Sequence, residues 1–201
     1  MNQFDRAAER WTEEAYADSR AYLSHRAHVV ATLGPALEPG DTVLDLACGD
    51  GGLANFLPDT RYVGVDSSAE MVAAATRRGV EAHVGDLNDY EPPETVDVTT
   101  VFRALYYARE RRAFFRRAAR YTRKKLVFDL NPRQYDVETV RSELRDAGFD
   151  VVLQRPFFVP QTAALPAPAA AVLRVLERSG PLARLALRVR FTYIISASRT
   201  R

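Results

Sequence analysis

The chain has 201 residues and a mass of about 22.5 kDa, 47% of them hydrophobic and 27% charged. That is room for one domain, and the balance excludes collagen-like, fibrous and disordered classes. The net charge of +2 hides a division: residues 1–100 hold 7 basic and 18 acidic side chains, residues 101–201 hold 21 and 8. Such an asymmetry raises the question of a nucleic acid or an anionic membrane as partner. A single cysteine, Cys48, leaves no internal disulfide and no multi-cysteine zinc site, and no metal site is expected. Met1–Arg6 has no apolar signal-peptide core. The longest apolar run, Ala163–Leu173, is short and interrupted by Pro166 and Pro168, so no membrane span is predicted. The expectation is a soluble, cytoplasmic protein.

In chain order, residues 5–37 are rich in Ala, Glu and Arg and predict helix, interrupted at Gly34-Pro35 and ended by Pro39-Gly40. Thr42–Leu46 predicts a first strand, followed by the turn Cys48-Gly49-Asp50-Gly51-Gly52 and a helical stretch to Phe56. Arg61–Val65 is a second strand. Ser67, with Glu70 three residues on, is expected to cap a helix that stops at Gly79. Val80–Val84, Val96–Phe102 and Leu126–Leu130 predict further strands, with helix over Arg109–Tyr121. Val137, Val140, Leu144 and Ala147 form one stripe ahead of Gly148, an amphipathic helix over Asp136–Ala147 with a glycine stop. Val151–Gln154 and Arg190–Ala197 are the last strands. Between them lie a Pro/Ala-rich stretch, 160–171, and a helical segment Val172–Leu187 broken at Gly180-Pro181.

This alternation predicts an α/β fold: a three-layer sandwich around a doubly wound, mostly parallel seven-stranded sheet, with one antiparallel strand near the C-terminus. One domain is expected over 1–201, divided into N-terminal helices (1–40), a core (41–155) and a helical segment with the last strand (156–201).

The strongest local signal is Asp45-Leu46-Ala47-Cys48-Gly49-Asp50-Gly51, where a strand feeds a glycine-rich turn. Gly49 and Gly51 permit tight turning and close approach of backbone to a ligand. Asp66, 21 residues after Asp45, stands at the end of the next strand, where a carboxylate can accept hydrogen bonds from ribose hydroxyls. Gly49-x-Gly51-x-x-Ala54 also satisfies a dinucleotide fingerprint. Asp45 discriminates. Its charge would repel a pyrophosphate but attract a ligand bearing an ammonium group.

These residues, with Val63-Gly64-Val65-Asp66, Gly85-Asp86-Leu87 and Val96–Phe102 in order, resemble the successive motifs of class I S-adenosylmethionine-dependent methyltransferases of the small-molecule type. Ala47 departs from the glycine more common there. The resemblance, over roughly 20–155, implies a Rossmann-like fold, S-adenosylmethionine as methyl donor and S-adenosylhomocysteine as product. It implies that Asp45, Ala47 and the Gly49–Gly51 backbone hold the methionine end, that Asp66, with Ser67 beside it, takes the ribose, and that Asp86 and Leu87 take the adenine. Phe102 and Arg103 would lie where donor and acceptor meet, and Tyr22 and Arg26 could close over the donor. Tyr106, Tyr107 and His25 are candidates for a general base by position only. Asp50 is expected to be exposed, Cys48 to be a packing residue.

A small-molecule O, N or C nucleophile is the expected acceptor, since the chain has no separate region for recognising nucleic acid. A lipid or quinone at a membrane is the alternative, because Val172–Arg190 interleaves leucine and arginine. A non-catalytic adenosylmethionine- or nucleotide-binding protein is a further one. The ten basic residues of Arg103–Lys125 are expected to form a solvated face, and residues 156–188 to cover the acceptor.

Overall fold

A computed structural model of the chain describes residues 8–186 and 192–200. Its seven strands are β1 (Thr42–Leu46), β2 (Arg61–Asp66), β3 (Glu81–Val84), β4 (Val96–Val101), β5 (Thr122–Leu130), β6 (Val151–Pro156) and β7 (Tyr193–Ser198). They form one sheet in the order β3-β2-β1-β4-β5-β7-β6. Only β7 is antiparallel, against both β5 and β6. The start of the last predicted strand, at Arg190, lies outside the described residues.

The helices are α1 (Trp11–Ala15), α2 (Ser19–Thr32), α3 (Ala69–Arg77), α4 (Arg111–Tyr121), α5 (Val137–Asp146), α6 (Ala167–Arg178) and α7 (Gly180–Ala186). The predicted N-terminal helix is therefore two, because Asp18 caps a new one by accepting from the Ala21 N–H at 2.9 Å. Ser68, not Ser67, caps α3. The helix expected after the glycine turn is a single 3-10 turn, Ala54–Phe56. It is too short to offer a row of free N–H groups to a ligand. Proline in the first turn lets α6 begin inside the Pro/Ala-rich stretch.

Side chains alternate across the sheet, as the two-residue period of a strand requires. Leu44, Leu46, Leu126, Phe128 and Ile195 pack with Phe114, Phe115 and Leu144 on one face. Val43, Val98, Val127 and Ile194 pack with Leu23, Val30 and Phe157 on the other. Each large apolar side chain so buried contributes about 1.5–3 kcal/mol. Strand order reverses between β1 and β4, the place where open α/β sheets bind ligands beyond the carboxyl ends of their strands.

The division of charge is largely resolved within the fold. Arg109 pairs with Asp86 at 2.7 Å, Arg123 with Asp97 at 2.9 Å, and Lys124 with Glu38 and Asp41 at 2.7 and 2.8 Å, while Arg120 meets Glu91. Each joins the basic half to the acidic half. Among the described residues no helix is long and apolar enough to cross a membrane.

Lys125 is an exception, fully buried on β5 with its ammonium donating to the Leu33 carbonyl at 3.0 Å. Burial lowers its pKa to about 8. Between about pH 8 and 10.4 the unfolded chain therefore holds more protons than the folded one, and stability rises with pH. Urea unfolding at pH 7 and 10.5 should show wild type gaining up to about 3 kcal/mol relative to Lys125→Met, at about 1.36 kcal/mol per pKa unit.

Candidate active site

A cleft of about 370 Å³ opens at the carboxyl ends of β1, β2 and β4, within the usual range for small-molecule sites. Asp45, Ala47, Gly49, Asp66, Ser67, Asp86, Leu87, Phe102, Arg103, Tyr106, Tyr107 and Arg26 all line it. Three expected residues do not. Gly51 faces Val80 and Ala75, where an added Cβ would come within 3.0–3.3 Å. Tyr22 is buried behind the lining and donates nothing to the cleft; its hydroxyl accepts from Arg26 at 3.2 Å. His25 is buried on another side of α2, with Nε2 2.5 Å from Glu177 of α6. Its ring is committed to holding α6, so its candidacy as a base there falls away. Residues 156–186 contribute no lining side chain either. They brace the lid from behind, Gln161 donating to the Ala15 carbonyl at 3.0 Å.

Asp45 sits opposite Gly64 of β2 and Thr100 of β4. Thr100 donates to its carboxylate at 2.6 Å, and so does the Tyr62 hydroxyl. Burial raises its pKa to about 6, against the pull of those two donors. Asp66 accepts from the Gly49 N–H at 2.8 Å and the Ser68 N–H at 3.0 Å. Burial raises its pKa as well. Asp86 accepts from the Asn88 N–H at 2.8 Å, which is the chief reason its pKa is lowered, and from Asn88 Nδ2 and Arg109 at 2.7 Å each. Burial pushes the half-exposed Tyr106 phenol up to about 12, with a hydrogen bond to Tyr107 adding to it. At neutral pH it is a hydrogen-bond donor rather than a base.

Ala47 has φ of 60°, which explains why glycine suits this place: the left-handed region disfavours any Cβ. Gly49 and Gly52 serve a purpose beyond ligand approach. An added Cβ would strike the Trp11 indole at 2.8 Å at the first, and Thr12 at the second. Helix α1 thus lies directly on the glycine turn. Asp50 holds it there. Contrary to expectation the side chain is 1% exposed. It accepts from the Thr12 N–H at 3.0 Å and hydroxyl at 2.5 Å, and pairs with Arg78 at 2.9 Å.

A family model described as "Methyltransferase domain" matches residues 43–125. Residues 43–125 are therefore similar to a methyltransferase domain. Trans-aconitate 2-methyltransferase of Mycobacterium tuberculosis is 37% identical over 108 residues, 50% of this chain and 40% of that protein. The enzyme of the same name from Mycobacterium marinum is 33% identical over 108 residues, 50% of this chain and 39% of the other. The match thus spans about two fifths of these relatives' length. Among solved structures, a TehB-like methyltransferase from Corynebacterium glutamicum superposes with a TM-score of 0.67 at 14% identity, covering 98% of each chain. An S-adenosylmethionine-dependent methyltransferase from Clostridium acetobutylicum gives 0.67 at 12% identity, over 100% of each. Both share the fold of the methyltransferase domain.

Trp11, Thr12, Tyr16, Asn88 and Arg109 also line the cleft and were not foreseen. The lone tryptophan near the start of the chain was the available signal. The Asp50 clamp makes the fold sensitive at that carboxylate. Asp50→Ala should lower stability by about 3 kcal/mol, since it leaves Arg78 and the Thr12 N–H without their buried partner. Limited proteolysis should then cut near α1 before the core.

Proposed function

We propose that this cleft transfers a methyl group from S-adenosylmethionine to a small molecule. The observation that carries the proposal is the convergence of Asp45, Asp66 and Asp86, from the ends of β1, β2 and the segment after β3, on one cleft beside a glycine turn. Asp45 suits the donor's ammonium group, Asp66 its ribose hydroxyls, and Asp86 its adenine amino group. Arg26, a lining residue whose guanidinium stacks on Phe102 at 4.4 Å, suits its carboxylate. Leu87 and Phe102 supply apolar surface around them.

When bound, S-adenosylmethionine supplies an already electrophilic methyl group, so the chain's residues contribute mainly alignment and exclusion of water. Trp11, Thr12 and Tyr16 close the cleft from above. The trans-aconitate methyltransferases support a small-molecule acceptor. A membrane-bound lipid or quinone acceptor is favoured by one feature, the exposure of Val172, Val175, Leu182 and Leu185 along α6 and α7.

Two measurements test the donor assignments. Asp66→Ala should raise the Kd for S-adenosylhomocysteine at least about 100-fold in calorimetry, for loss of two charge-assisted hydrogen bonds at about 1.5–3 kcal/mol each. Unchanged affinity refutes the ribose role. Ionised Asp45 attracts the ligand's ammonium group and protonated Asp45 does not. Affinity should therefore fall as pH drops below about 6, by up to about tenfold per pH unit. Asp45→Asn should bind weakly and without that pH dependence.

A further inference from the structure

Arg26 and Arg103 line the cleft, and neither guanidinium has a carboxylate in ion-pair distance among the described residues. Arg26 donates to the hydroxyls of Tyr16 and Tyr22, at 3.2 Å each. Arg103 lies over the rings of Trp11 and Tyr16, 5.9 and 5.8 Å from their centroids. Its side chain is half-buried under α1 and the turn before α2.

The backbone places Arg103 deliberately. Its φ is 55°, in the left-handed region that a residue with a Cβ rarely adopts. The strain is held by Asp129 at the end of β5, which accepts the Arg103 N–H at 2.7 Å. An observed outlier of this kind beside a cleft points to use of the side chain it directs.

The charge inventory then decides what that side chain is for. S-adenosylmethionine carries two cationic groups, sulfonium and ammonium, and one carboxylate. Arg26 suffices for that carboxylate. A second guanidinium would repel the donor's cations and matches nothing else on it. With Asp45, Asp66 and Asp86 lining the same cleft and Asp129 next to it, a singly charged anion is better tolerated than a phosphate dianion.

We propose that Arg103 is the acceptor-binding residue and that the acceptor is a small carboxylate, with Asp129 a positioning residue that sets the Arg103 backbone. The proposal rests on the assignment of the cleft to the methyl donor. It names the acceptor class, which that assignment leaves open.

The test is calorimetry on the full chain saturated with S-adenosylhomocysteine, titrating propionate, butyrate, methyl butyrate and methyl phosphate. The carboxylates should bind and the ester should not. Arg103→Gln should weaken carboxylate binding at least tenfold. Arg103→Gly should do the same while relieving the backbone strain, so that lost binding is not lost folding. Arg77→Gln, an exposed substitution on α3, serves as the control. Absence of carboxylate binding, preference for methyl phosphate, or unchanged affinity in Arg103→Gly would each overturn the proposal. The titrations are repeated without S-adenosylhomocysteine. A chain that binds carboxylates through Arg103 but no S-adenosylhomocysteine overturns the donor reading and leaves the Arg103 assignment standing.

Discussion

The architecture of the cleft depends on one buried carboxylate. Asp50 stands in the glycine turn after β1 and joins α1, through Thr12, to the residue that ends α3, Arg78. A charge out of water is costly unless it is paired and hydrogen-bonded, and here four donors converge on it, the Thr12 N–H and hydroxyl, the Gly52 N–H and Arg78. Glycine at 49 and 52 makes that approach possible, since a Cβ at either would collide with α1. The roof of the cleft and its floor are therefore one unit. Trp11 and Tyr16 come with α1 and the turn after it, and they in turn receive the Arg103 guanidinium.

The electrical division of the chain has a structural counterpart. The basic residues of Arg103–Lys125 are partly neutralised. Arg109, Arg120, Arg123 and Lys124 reach acidic residues of the first hundred. The exposed pairs among them, Arg109 with Asp86 and Arg120 with Glu91, contribute under about 1 kcal/mol each, and the four together offset part of the charge that first suggests a nucleic acid. Inside the cleft the halves mix again: the carboxylates come from β1, β2 and the segment after β3, and one guanidinium each from α2 and the end of β4.

Much of the fold was legible because strand and helix periods are local. β1, β2 and α5 lie within a residue of their predicted bounds, and the antiparallel strand followed from the absence of an ordinary crossover before it. Misreadings arose where a single polar residue broke a pattern. Asp18 divides the N-terminal helix, and Ser68 takes the cap foreseen for Ser67. The glycine turn leads to one 3-10 turn rather than a helix, because its residues are occupied in receiving α1.

The carboxylates Asp45, Asp66 and Asp86, and the order of strands that bears them, were determined by sequence alone, since each follows a short apolar run at fixed spacing. Tertiary structure decided what covers them and which neighbours face in. His25 and Arg26 are adjacent in sequence, yet a helical step of 100° sends one to Glu177 and the other into the cleft. Asp50, hydrophilic and next to two glycines, reads as a surface residue until α1 folds over it. Burial and pairing across 38 residues of chain, as between Thr12 and Asp50, are properties of packing, and no local pattern carries them.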